Sequence, residues 1–313
     1  MDAVSVDQRV LEHFKKLLTT GRMGHAYLFV GPKEIGKTQT ALCIAQLVNC
    51  ESTEGKPCGR CSSCKKIIGA NHPDVMILQE DEGSIKIDQI RLMMGRLQLK
   101  AYEAKTKVFI IRNVETMTLE AANSLLKTLE EPASHTLIIL TTAVPEANLD
   151  TIRSRCHVVR FFSVSRSRLQ KLLSDDTATM YQFLTVYTDG CVGRARQLVE
   201  DNFIVRKNQI LDAFLYKNDD DSIKKFIYEK EDAKEALQII LSIVRDAILL
   251  KAGLAADELM HVDRLKDVRL LMNHSFEELF AIYEQMVKTK GLLDENLNAR
   301  MAFSILRQRI WVN

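Results

Sequence analysis

The chain opens on an amphipathic stripe. Val10, Leu11, Phe14, Leu17 and Leu18 recur at three- and four-residue steps, the spacing of one helical face. A continuous apolar run at residues 26–30 follows and reads as a buried strand, and similar runs stand at 75–78, 108–111, 137–140 and 158–162, with helix-like segments between them. The spacing predicts helices over 37–48, 87–99 and 119–129, the last with Thr118 as N-cap and Pro132 as its stop. Strands that are apolar throughout and alternate with helices build a parallel sheet covered on both faces, so the predicted fold class is α/β with a five-stranded parallel sheet.

From about residue 163 the strand signal fades. Helical patterns around 169–173, 181–187, 195–199, 210–215, 236–250 and 276–286 follow one another. The turn at Asp189-Gly190 and the polar stretch 216–221 divide this half, which gives an expected layout of an α/β domain at 1–162, a small helical domain at 163–215 and an all-α domain at 216–313. The length, 313 residues, by itself suggests about two domains. All five prolines precede residue 146 and nine of the thirteen glycines precede residue 96, so the turn formers crowd into the α/β part and the rear is free to be helical.

Charge removes some functions. The 43 basic and 41 acidic residues leave a net charge of +2, which argues against a strongly basic, self-sufficient nucleic-acid clamp. No apolar run approaches the roughly 18 residues of a membrane span, and the first residues are acidic where a secretory signal is basic, so the expected location is the cytoplasm. Seven cysteines, an odd number, fit a reducing compartment in which thiols bind metal or lie buried.

Residues 31–38, Gly-Pro-Lys-Glu-Ile-Gly-Lys-Thr, fill the phosphate-loop pattern G-x-x-x-x-G-K-[ST], and they stand between an apolar strand and a helix. Gly31 and Gly36 permit the tight turn, Lys37 is placed to neutralise β- and γ-phosphates, and Thr38 to ligate magnesium, so ATP or ADP with Mg2+ is the expected ligand. The plain alternative is a glycine-containing strand-to-helix turn. Turnover needs acids at the end of a neighbouring strand to hold the metal shell and orient water. The strand 107–111 is instead followed by Arg112-Asn113-Val114-Glu115, a cation and an amide at those two positions, with Glu115 the only carboxylate nearby. Nucleotide binding with slow or absent hydrolysis is the expectation.

Cys50, Cys58, Cys61 and Cys64 form C-x7-C-x2-C-x2-C, a set of four soft ligands suited to a closed, structural zinc site in a module at 50–64. Free thiols in a loop are the alternative. The stretch 51–66 is read as a polar excursion without apolar periodicity, ordered by the metal and folded onto helix 37–48. Cys43, Cys156 and Cys191 have no partners at metal spacing and read as small buried residues.

His25-Ala26-Tyr27-Leu28-Phe29 before the phosphate loop, the four-cysteine insert, Leu125-Leu126-Lys127-Thr128-Leu129-Glu130-Glu131-Pro132 and Ser154-Arg155-Cys156 together resemble the bacterial clamp-loader subunits of the AAA+ ATPase superfamily, in the delta-prime branch of DNA polymerase III. The resemblance covers about residues 5 to 200 clearly. It implies that 163–215 is a helical lid and 216–313 a collar that joins a pentameric ring with gamma/tau and delta subunits, and that the ring places a sliding clamp on primer-template DNA. It further implies that Arg155, which alone would pass for a surface arginine in an ion pair, is an arginine finger acting in trans on a neighbouring gamma/tau subunit's ATP, and that Lys127 and Glu130 lie in the helix that couples DNA arrival to it. Thr141 and Thr142 fall in the family's γ-phosphate-sensing region, Thr142 being the site candidate, although strand capping explains them equally. The ATP-hydrolysing gamma/tau motor is the alternative. Motors carry Asp-Glu where this chain has Arg112-Asn113, and a phosphate-sensing arginine where it has Gly193, with Arg194 and Arg196 adjacent. Lys100, Lys105 and Lys107 are the basic residues read as lining a channel in the assembled ring, and Trp311 as closing either its own core or a partner's groove.

Overall fold

In the computed structural model, which describes residues 6–53, 55–144, 150–165, 169, 178–216, 221–295 and 298–311, the five apolar runs are five parallel strands: β1 (Ala26–Val30), β2 (Val75–Leu78), β3 (Lys107–Ile111), β4 (Thr136–Thr142) and β5 (His157–Arg160). Their order is β2-β3-β4-β1-β5, with Leu28 level with Leu140 on one side and Val158 on the other. The chain thus builds outward from β1 in both directions, and the carboxyl ends of β1, β3 and β4 border the crevice where open α/β sheets bind ligands.

Both faces of the sheet are covered, as continuous apolar strands require. Helices α1 (Gln8–Thr19) and α2 (Lys37–Asn49) pack Phe14, Ile44 and Leu47 against Phe29, Val108 and Leu137. Helices α4 (Ile87–Gln98) and α5 (Leu119–Glu130) pack Ile90, Met93 and Leu125 against Leu28, Phe109 and Ile138 on the other side. Each fully buried side chain of this size contributes roughly 1.5–3 kcal/mol of transfer free energy. Thr118 caps α5 as its position predicts, its hydroxyl accepting from the Ala121 N–H at 3.3 Å.

The sheet edges depart from the sequence reading. β5 ends at Arg160 rather than 162 and is mostly exposed, because it pairs with β1 on one side only, and Phe162 is 58% exposed. Residues 51–66 are not wholly irregular: α3 (Ser62–Ile68) buries Cys64 and Ile67, with Ile67 in the same core cluster as α2. The short helix α6 (Asp150–Arg153) leads into β5.

The chain falls into two compact units, one running to Val164 and including Cys191–Arg194, the other comprising Ser165–Gly190 and Ala195–Asn313. The regular elements among the described residues of the second are all helices: α7 (Ala178–Tyr187), α8 (Val192–Glu200), which begins in the first unit, α9 (Phe203–Leu215), α10 (Asp221–Lys224), α11 (Lys230–Lys251), α12 (Leu265–Leu271), α13 (Phe276–Leu292) and α14 (Ala299–Trp311). One apolar cluster runs from Phe183 and Phe214 through Ile240 and Val244 to Phe303. Within it Lys207 is wholly buried, paired to Asp263 at 2.5 Å and lying 4.7 Å from the centre of the Phe183 ring. Leu169 apart, the helix read at 169–173 lies outside the described residues, as does the side chain of Trp311. No helix is long and apolar enough to cross a membrane among the described residues.

Candidate nucleotide site, cysteine cluster and strand-edge arginine

The phosphate loop leaves the interior strand β1, between β4 and β5, and opens α2. Its two glycines are fixed by geometry. A Cβ on Gly31 would stand 2.7 Å from the Phe161 carbonyl oxygen, and Gly36, the N-cap of α2, has a left-handed φ of 101°. Lys37 is buried, and its Nζ donates to the loop's own carbonyls, Gly31 at 2.6 Å and Pro32 at 2.7 Å. Burial pulls its pKa down to about 8, against the pull of the nearby Glu115 carboxylate. Thr38 is half-buried at the first turn of α2.

Residues 191–194 lie against this loop. The Arg194 N–H donates to the Glu34 carbonyl at 3.2 Å, the Arg194 guanidinium meets the Glu34 carboxylate at 3.4 Å, and a Cβ on Gly193 would stand 2.5 Å from that same carbonyl oxygen. Glycine at 193, where motors place an arginine, is therefore required by close backbone approach. The sequence carries no local signal for this contact, because its two halves stand about 160 residues apart.

At the end of β3 the side chains standing where acids are needed turn to the β2 side: Arg112 donates to Gln79 at 2.9 Å and Asn113 to Glu80 at 3.1 Å. Glu115 comes back over the end of β4. Its Oε1 accepts from the Ala143 N–H at 3.1 Å, and its Oε2 is buried without a hydrogen-bond partner. Thr141 accepts the Asn113 N–H at 3.2 Å, and the Thr142 hydroxyl is engaged with the Val144 backbone at 3.1 and 3.2 Å, so both threonines already serve the strand end.

The four cysteines come together as their spacing predicts, with all Sγ atoms within 4.8 Å of one another. A tetrahedral zinc with Zn–S bonds of about 2.3 Å places sulfurs about 3.8 Å apart, so the set fits the ion. Backbone N–H groups of Cys58, Cys61 and Cys64 point at Cys50, Cys58 and Cys61 sulfurs, each at 3.4 Å. These donors favour thiolate: Cys58 is pulled down to about 6 by the N–H groups of Arg60 and Cys61, while burial pushes Cys64 up. The module is tied down by Gln46 to the Cys64 carbonyl at 3.1 Å, by Lys105 to the Cys50 carbonyl at 2.8 Å, and by Asp74, which accepts from the N–H groups of residues 102–104. Lys107 is likewise buried, donating to the Arg96 carbonyl at 2.7 Å and to that of Leu99. Lys107 is thus a structural prop, not a channel lining; Lys105, although it holds the Cys50 carbonyl, is exposed, as is Lys100. Of the other cysteines only Cys191 is fully buried, whereas Cys43 and Cys156 are half-buried, with thiols pushed upward by burial.

Arg155 stands between α6 and β5, far along the sheet rim in sequence from the loop. Its Nε and Nη2 reach Glu130 Oε1 at 2.7 and 2.5 Å, a pairing of the two family-motif segments that spacing alone does not reveal.

A parallel sheet in this order, a phosphate loop leaving its interior strand β1 and a separate helical unit define a phosphate-loop α/β protein with an all-α second part. The fold is similar to that of a DNA polymerase III gamma subunit-related protein from Thermotoga maritima, at a TM-score of 0.53 and 17% identity, covering 97% of this chain and 100% of that one. A family model described as "DNA polymerase III, delta subunit" matches residues 6–165, and one described as "DNA polymerase III, delta subunit, C terminal" matches 206–306. DNA polymerase III subunit delta' of Bacillus subtilis is 31% identical over 274 residues, 83% of this chain and 82% of that protein. Subunit tau of the same organism is 37% identical over 150 residues, 46% of this chain and only 26% of tau. The chain belongs to the delta-prime subunit family of DNA polymerase III.

Proposed function

We propose that this chain is the delta-prime subunit of a bacterial clamp loader. It assembles with gamma/tau and delta subunits into a hetero-oligomeric, pentameric ring and helps to place the sliding clamp on primer-template DNA. In this reading residues 163–215 serve as lid and 216–313 as collar, zinc on Cys50, Cys58, Cys61 and Cys64 staples the insert, and Arg155 is donated in trans to the ATP of a neighbouring gamma/tau subunit. Arginines used in this way supply about 10³ to 10⁵ in rate. The chain's own site, built from Gly31, Gly36, Lys37 and Thr38 with Thr142 at its border, takes ATP or ADP with Mg2+ but turns it over weakly. The magnesium ion would screen phosphate charge there, and the residues present, a loop lysine and a threonine hydroxyl, fit its usual surroundings.

One observation carries the weak-turnover reading: the positions that need two acids hold Arg112 and Asn113, and both side chains are committed to Gln79 and Glu80. The motor alternative is separated by phosphate release from the isolated chain. Turnover slower than about 0.01 per second supports the proposal, and turnover near 1 per second that is lost in Lys37→Ala favours the motor.

A further inference from the structure

The proposed finger is wholly engaged inside its own chain. Nε and Nη2 of Arg155 converge on Glu130 Oε1 at 2.7 and 2.5 Å, and Nη1 donates to the Thr151 carbonyl at 2.9 Å and the Ser154 hydroxyl at 3.2 Å. The Nε/Nη2 edge is the fork with which a guanidinium addresses two oxygens of a phosphate. In this structure the fork is held by a carboxylate. The carboxylate's own position is no accident of a free side chain: Glu130 is the last residue of α5, and the carbonyl just before it, Leu129, is tied at 3.0 Å to the ring of His25, the residue before β1. A carboxylate at a helix C-terminus is disfavoured by the helix dipole and gains from a cation, so the pairing serves both partners.

We propose that Glu130 is a positioning residue that restrains Arg155, competing with a neighbouring subunit's γ-phosphate for the guanidinium fork until α5 shifts and the pair opens. This rests on the reading of Arg155 as a trans finger. The fork serves one anion at a time, so every ring state in which Glu130 holds it is a state in which the neighbour's ATP lacks its arginine. The strength of the restraint follows from exposure. The side chains are 33% and 49% exposed, and half-exposed pairs of this kind bias an equilibrium by only a few-fold, about two- to fivefold. A bias of that size suits a catch that DNA binding has to release. The last turn of α5 also carries Lys127, so a displacement of this helix moves Lys127 and Glu130 together.

The test uses the full complex reconstituted with the cognate gamma/tau and delta subunits and clamp, its ATPase followed with and without primed DNA. Glu130→Gln keeps the shape and removes the charge at an exposed helix end. It is expected to raise the DNA-independent rate about two- to fivefold while leaving the DNA-stimulated rate near wild type, so that the stimulation ratio shrinks. The gain is expected to vanish in Glu130→Gln/Arg155→Ala, and to be smaller at high salt, where the wild-type pair is itself weakened. A Glu130→Gln complex with an unchanged ratio, or with both rates lowered as in Arg155→Ala, overturns the restraint and leaves the finger standing. An Arg155→Ala complex with wild-type rates overturns the finger reading itself, and the restraint with it.

Discussion

The contact between residues 191–194 and the phosphate loop is sharp enough to be tested by a single carbon atom. In Gly193→Ala the new Cβ would stand 2.5 Å from the Glu34 carbonyl oxygen and 3.6 Å from the Gly36 nitrogen. The obstacle is backbone, so no side chain can swing aside. Either the first turn of α8 lifts or the loop is pushed, and the Arg194 N–H bond to Glu34, already 3.2 Å, is stretched. Overpacking of this kind costs about 1–3 kcal/mol and the weakened hydrogen bond about 0.5–1.5 kcal/mol. Alanine's better helix propensity returns up to about 1 kcal/mol, leaving a net loss of about 2.5 kcal/mol at the middle of these ranges. For a unit of this size that lowers the melting temperature by about 3–10 °C, measurable by scanning calorimetry. Gly95→Ala is the control: it too lies in a helix, α4, but its Cβ would meet nothing within 4 Å, so it should leave the melting temperature unchanged or raise it. A Gly193→Ala protein as stable as wild type, or one shifted in the same direction as Gly95→Ala, would refute the docking of this segment on the loop.

Three further outcomes are expected. The purified chain should carry one zinc ion by atomic emission, and Cys58→Ser or Cys64→Ser should lose it together with thermal stability; a zinc-free wild type purified without chelator contradicts the assignment. Lys37 is a cation below its lowered pKa of about 8 and neutral above it, so the affinity for fluorescent ADP should fall by up to about tenfold per pH unit above that value, with Lys37→Ala weak at every pH; an affinity flat to pH 9.5 removes the lysine from phosphate binding. Burial, opposed by Glu103 and Asp74, holds His72 below its ordinary pKa, so the unfolded chain binds the proton first as pH falls. Stability from His72 is therefore present above about pH 6.5 and lost below it. The urea-midpoint advantage of wild type over His72→Gln should shrink between pH 7.5 and 5, and an advantage that grows reverses the sign of the argument.

The sheet was legible because its central strands are apolar without interruption, and a run such as 137–140 between helix signals admits few other readings. The phosphate loop and the cysteine quartet were legible because their chemistry depends on local spacing. What escaped was set by pairing across the chain. β5 looked buried because Val158 and Val159 are apolar, yet its place at the sheet edge leaves Val158 38% exposed. Lys107 looked like a channel cation, but the carbonyls at the end of α4 capture it. The helix at Ser62–Ile68 was hidden by Ser-Ser-Cys-Lys-Lys, a polar run whose buried residues, Ser63, Cys64 and Ile67, include only one aliphatic anchor. Gly193 and the Arg155–Glu130 pair carry no periodicity at all, and only tertiary structure supplies their partners.

The trans role of this subunit is tested most directly at Arg155. In a loader reconstituted with this subunit, Arg155→Ala should assemble normally, bind nucleotide normally at the gamma/tau sites and lose the DNA-stimulated ATPase by at least about a hundredfold at the dependent site. Wild-type stimulation by that complex, with clamp loading intact, would contradict it.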